Sequence, residues 1–126
     1  MKEPCWIDLA DVHAFHQAMI AQFGGIAGVR DEHLLDSALH RPRNLYAYGS
    51  PSLFELATEY ALGIVKNHPF LDGNKRAGFM AAALFLELND LQFQAPEEEV
   101  VVYTLGLAAG EIEGVDYTAW LERSCC

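Results

Sequence analysis

The sequence predicts an all-α fold, a compact helical bundle of about six helices. Apolar residues recur at helical spacing along most of the chain. Capping residues stand where those patterns begin, and Gly or Pro stands where they end. Only Leu91 to Gln94 reads as extended. The 126 residues make about one domain, so residues 1–126 are expected to fold as one unit.

Asp8 is placed to cap a first helix carrying Leu9, Val12, Phe15, Met19 and Phe23, which Gly24-Gly25 stops. Its His13 and His16 lack an acidic or cysteine set to complete a metal site, so both are expected on the surface. Asp31 caps a shorter second helix that is expected to end before Pro42. Ser52 and Glu55 form a capping box, and Leu53, Leu56, Ala57, Tyr60, Ala61, Ile64 and Val65 line one face of the helix they open. Pro69 disfavours helical geometry at His68, so this helix should stop near Asn67. Lys75 to Leu88 reads as a buried central helix. Pro96 with three glutamates suits the first turn of a fifth helix, which ends by Gly110. Asp116 is expected to cap a last turn or two bearing Trp120 and Leu121.

Composition removes several function classes. A net charge of −10 argues against a nucleic-acid binder, which would show a basic face. The run Ala77 to Leu86 is too short to span a membrane. The start Met1-Lys2-Glu3-Pro4 shows no leader pattern, so the cytoplasm is the expected location. Three cysteines make no disulfide framework, and Cys125-Cys126 reads as a tolerated, mobile tail. There is no G-x-x-x-x-G-K-[ST] phosphate loop.

The chemistry concentrates in HPFLDGNKRAG, His68 to Gly78. Asn74 is a candidate N-cap for the following helix, and Gly73 lets the backbone turn before it. The free N–H groups of that helix start make an anion site. Lys75 and Arg76 oppose the helix dipole there, a conflict that a bound polyphosphate removes. Arg grips phosphate through two parallel hydrogen bonds, whereas Lys acts as a point charge. Asp72 supplies a carboxylate of the kind that holds magnesium beside substrate phosphates. His68 is a candidate general base for an attacking hydroxyl. Phe70 is expected to anchor the loop inward. No Lys or Arg occurs from Ala77 to Glu122, so Lys66, Lys75 and Arg76 form an isolated basic spot. Lys66 either touches phosphate or is simply solvated. Taken singly, each residue also has an ordinary reading as a surface ion pair or a helix-end histidine.

These residues resemble the Fic/Doc family motif HPFx(D/E)GNGRxxR. His68, Pro69, Phe70, Asp72, Gly73, Asn74 and Arg76 match it. Lys75 resembles instead the Doc branch, whose pattern is HxFxDANKR; Gly73 keeps the Fic glycine where that branch has alanine. The final arginine of the Fic pattern is absent. The segment Phe23 to Asp31 resembles the GG-x-x-G-x-R-D stretch of Doc-like toxins, and Leu34 to Leu39 continues it. The resemblance implies His68 as base, Asp72 as magnesium ligand, Gly73 and Asn74 as anion-hole residues and Arg76 as phosphate arginine. Mg2+ and ATP are the implied cofactor and co-substrate. Most Fic enzymes transfer AMP to a protein hydroxyl. Doc toxins transfer the γ-phosphate to elongation factor Tu and arrest growth, and the bland alternative is a non-catalytic binding module on the same fold. The resemblance further implies an antitoxin whose helix occupies an apolar groove near the motif. Arg41 to Pro51 reads equally well as a target-docking flap with Leu45, Tyr46 and Tyr48 on its edge, or as an ordinary helix connection.

Overall fold

The computed structural model describes residues 3–126. The Met1-Lys2 start of the leaderless reading lies outside the described residues. Six helices are present among the described residues: α1 Leu9–Phe23, α2 Glu32–Ala47, α3 Leu53–Asn67, α4 Asn74–Leu88, α5 Glu97–Ala109 and α6 Gly114–Arg123. Beyond them lie two isolated antiparallel bridges, Val29 with Phe70 and Phe93 with Cys125. The all-α expectation holds.

Helix α3 lies at the centre, packed against α2, α4, α5 and α6. Its capping box is complete, with Ser52 and Glu55 each accepting the other's backbone N–H. Two glycines let neighbouring backbones approach it. A Cβ on Gly63 would stand 3.0 Å from the Ala38 carbonyl oxygen of α2. A Cβ on Gly78 of α4 would stand 2.9 Å from Val65 Cγ2 and 3.1 Å from the Ala61 oxygen. The core joins Leu56, Tyr60 and Ile64 of α3 to Leu35, Phe85 and Trp120. Trp120 stacks on Tyr103 at 4.5 Å and donates its indole N–H to Glu99 at 3.0 Å, fixing α6 against α5. Burial pushes the Tyr117 hydroxyl above its ordinary pKa, so it stays protonated in the core.

Three helix boundaries differ from the sequence reading. Helix α2 passes through Pro42 to Ala47. Pro42 is buried with Leu35, Ala38 and Leu39 on the face turned to α3, and Arg41 pairs with Glu59 of α3 at 3.0 Å. This packing outweighs the backbone hydrogen bond that proline removes. Of Arg41 to Pro51, which reads equally as a docking flap or an ordinary connection, residues 41–47 are helix, Tyr46 packs edge-on against Trp6, and only residues 48–52 connect α2 to α3. Helix α6 begins at Gly114, with Asp116 inside its first turn instead of at the cap. Helix α4 is capped by Gly73, not by Asn74. The tail is also tied down, with Gln94 N–H donating to Ser124 at 2.8 Å and Cys126 N–H to Gln92 at 3.0 Å. Burial and the neighbouring Cys126 raise the Cys125 pKa, which disfavours a reactive thiolate. Among the described residues, no helix is long and apolar enough to cross a membrane.

The α3–α4 contact gives a direct test. Gly78→Val should destabilise the protein by about 1–3 kcal/mol through overpacking. Chemical denaturation measures this, and an unchanged midpoint would remove the close-approach argument.

Candidate functional site

The site is built where α3 ends and α4 begins. His68 closes α3 in the left-handed conformation, φ 50° and ψ 53°, with its N–H bonded to Ile64. Glycine is the usual residue at such a helix end, and a side chain there costs ~1–2 kcal/mol. Pro69 follows and prevents the helix from continuing.

Asn74 fastens the loop that results. Its side chain is buried, and its Oδ1 accepts the Phe70 N–H at 2.9 Å. Its Nδ2 donates to the Phe70 carbonyl at 3.0 Å and approaches His68 Nδ1 at 3.1 Å. The Phe70 N–H on Oδ1 sets the amide's orientation, so Nδ2 is the donor and His68 Nδ1 the acceptor. A neutral His68 in this contact carries its proton on Nε2. Asn74 thus serves the loop from within the first turn of α4, which is why it does not cap that helix.

Phe70 is 1% exposed and turns inward, as expected. Its ring lies 3.8 Å from that of His16 at an interplanar angle of 7°. His16 is buried and donates from Nε2 to the Asp72 carbonyl at 2.9 Å. The expectation of a surface histidine fails here. His16 sits four residues after Val12 and three before Met19, both buried, so its spacing already placed it on the inner face of α1. His13 is on the surface beside Glu32, at 3.4 Å.

The segment from Gly24 to Asp31 holds the loop from outside. Arg30 donates from Nε to the His68 carbonyl at 2.8 Å and from Nη2 to the Asn67 carbonyl at 2.9 Å. The N–H groups of Arg30 and Asp31 both reach the Pro69 oxygen, at 2.7 and 3.0 Å. Leu71 N–H donates to Gly28 at 3.2 Å. The isolated Val29–Phe70 bridge forms here. Arg30 falls in the Phe23 to Asp31 stretch, where the sequence alone gives it no role. Its position one residue before the Asp31 cap was the available signal.

A cleft of about 430 Å3 opens over this loop, lined by His68, Asp72, Gly73, Asn74, Lys75 and Arg76 on one side and Met19, Ile20 and Phe23 on the other. No side chain caps α4, and its first turn holds no acidic residue. The N-terminal dipole, Lys75 and Arg76 therefore concentrate positive potential on the cleft. The Arg76 guanidinium lies over the Phe23 ring at 4.2 Å. Stacking uses the flat face and leaves the N–H edge available to a ligand. Lys66 is exposed in the last turn of α3 and does not line the cleft. The Fic pattern's final arginine falls by register on Phe79, which packs 5.5 Å from Phe93.

The Asp72 carboxylate is exposed at the cleft. Its Oδ1 accepts the Gly73 N–H at 2.9 Å and its Oδ2 the Ile26 N–H at 3.1 Å. Each oxygen keeps a further acceptor direction. Among the described residues, no group of three or more ligating side chains could hold a metal. One carboxylate suits magnesium, which takes its other ligands from phosphates and water.

Fold and site together define an all-helical protein whose α3–α4 loop sets a histidine beside a helix start bearing two cations. The family model described as Fic/DOC family matches residues 6–86, and the chain belongs to that family. It is 36% identical over 101 residues to "Protein kinase doc" of Escherichia phage P1, covering 79% of each chain. It is 40% identical over 75 residues to "Toxin Doc" of Mycolicibacterium smegmatis, covering 58% of each.

Asn74→Ala would leave the buried Phe70 N–H and carbonyl without partners, a loss of about 1–3 kcal/mol. Hydrogen exchange should show the Phe70 amide losing protection in this variant and keeping it in His68→Ala. Equal protection in both would mean that Asn74 does not hold the loop.

Proposed function

We propose that this chain is a Doc-type toxin, a protein-modifying transferase acting in the cytoplasm. It moves the γ-phosphate of Mg-ATP to a Ser or Thr hydroxyl of an elongation factor Tu-like translation factor and so arrests growth. One observation carries the reading: a helix start without a side-chain cap, Lys75, Arg76 and His68 all face one cleft.

The donor phosphates rest on the α4 N-terminal N–H groups, with Arg76 gripping oxygens and Lys75 adding charge. Asp72 would hold magnesium, which neutralises phosphate charge when bound. The acceptor hydroxyl gives its proton to His68 as its oxygen forms a bond to phosphorus and the bond to ADP breaks. The unprotonated ring nitrogen in the arrangement seen is Nδ1. For Nδ1 to take that proton, the hydroxyl must replace Asn74 Nδ2 on it, while Nδ2 keeps its bond to the Phe70 carbonyl.

Two points favour the γ-phosphate. Lys75 replaces the small residue of most Fic enzymes with a long cation, and the phage P1 relative bears the name of a kinase. Gly73 has a local reason that is independent of donor pose. It stands at φ 77°, and a Cβ there would lie 2.5 Å from Met19 Cε. AMP transfer is the second reading, favoured by the match of Gly73 to the Fic glycine.

Beside the cleft runs an apolar groove of about 520 Å3, lined in part by Phe79, Met80, Val101 and Leu105. Phe23, Lys75 and Arg76 line both groove and cleft. An antitoxin helix would lay its apolar face in this groove and crowd the phosphate site.

Incubation with elongation factor Tu and ATP labelled at either phosphate tests the reading. Label should pass from γ only, and His68→Ala should reduce transfer by roughly 10²–10⁴-fold. Transfer from α would establish the second reading, and no transfer from either would overturn both.

A further inference from the structure

The proposed base sits in a backbone conformation that its residue type disfavours. His68 is one of two non-glycine residues with positive φ among the described residues. A helix could end here with glycine at no such cost, so retention of a side chain points to a use for the imidazole. Something must then hold the backbone in place. The Asn74 contact acts on the ring and on Phe70, not on the His68 peptide groups. The group bonded to the His68 carbonyl is Arg30.

Resting on the transferase reading, we infer that Arg30 is a positioning residue that fixes the left-handed His68 backbone and thereby aims the imidazole into the cleft. Its two bonds go to successive carbonyls, Asn67 and His68, at the very end of α3. These are oxygens that a helix end leaves without partners, and a cation is favoured there by the helix dipole. The guanidinium fork fixes the angle between the two carbonyls, which a single donor cannot do. Rotation of His68 out of the left-handed region would turn its carbonyl away and break the Nε bond. The Arg30 and Asp31 N–H groups on the Pro69 oxygen hold the next peptide in register. Arg30 is exposed and does not line the cleft, so it acts through His68 and not on a donor.

The test compares Arg30→Ala and Arg30→Lys with the wild-type chain. Arg30→Ala should lower kcat by roughly tenfold to a hundredfold while leaving KM for ATP within about twofold, because misplacement of a reacting group costs rate. Arg30→Lys restores one donor and should fall between. In parallel, backbone couplings and amide-to-Hα contacts measured by NMR should report a fixed positive φ at His68 in the wild type and averaging in Arg30→Ala. An unchanged kcat with His68 still left-handed would overturn the proposal. So would a loss of kcat, ATP affinity and melting temperature together that Arg30→Lys does not relieve, since that marks a merely structural role. If the wild type transfers nothing, the transferase reading fails, and averaging of His68 in Arg30→Ala still supports Arg30 as the group that fixes its backbone. A fixed His68 in both chains overturns it.

Discussion

Between α3 and α4 the chain reverses direction over a few residues, and the Asn74 carboxamide keeps that reversal in one shape. Its two functional groups close on both sides of the Phe70 peptide, and its second donor direction reaches the His68 ring. A buried amide with satisfied donors and acceptor is worth most where water cannot replace it. Phe70, Asp72 and the α4 N-terminus take their positions from this arrangement. His16 supports the same loop from beneath, by a stack on Phe70 and a hydrogen bond to Asp72.

The charge pattern at the α4 start is locally unfavourable. Two cations in the first turn of α4 oppose the helix dipole, and no acidic residue of that turn offsets them. On a chain of net charge −10, such a conflict is simple to avoid, and here it is kept. Local rules are broken most often where function requires it. The left-handed His68 is a second such break, six residues before Asn74.

Much of this was legible in the sequence. The caps Asp8, Asp31 and Ser52 each accept the expected backbone N–H, because capping is a short-range interaction. The motif residues His68, Asp72, Asn74, Lys75 and Arg76 do line one cleft. What escaped was set by tertiary contacts. Pro42 stays helical because its face is buried against α3, and no local rule carries that information. Asn74 looked like a cap because its type and position suited one. Only the loop's return path shows that its amide is needed inside. Helical spacing puts His16 on the inner face of α1, but its partner Asp72 and the partners of Arg30 lie 56 and 38 residues along the chain, which spacing does not reveal.

The central claim is that the α4 start and its two cations receive a polyphosphate. Titration of isotopically labelled protein with Mg-ATP, followed through backbone amides and the Arg76 side chain, tests it most directly. The account predicts that the largest shifts fall on residues 73–76, that Arg76 Nε shifts with them, and that Arg76→Ala weakens binding. Shifts centred elsewhere, or none at saturating Mg-ATP, would contradict it.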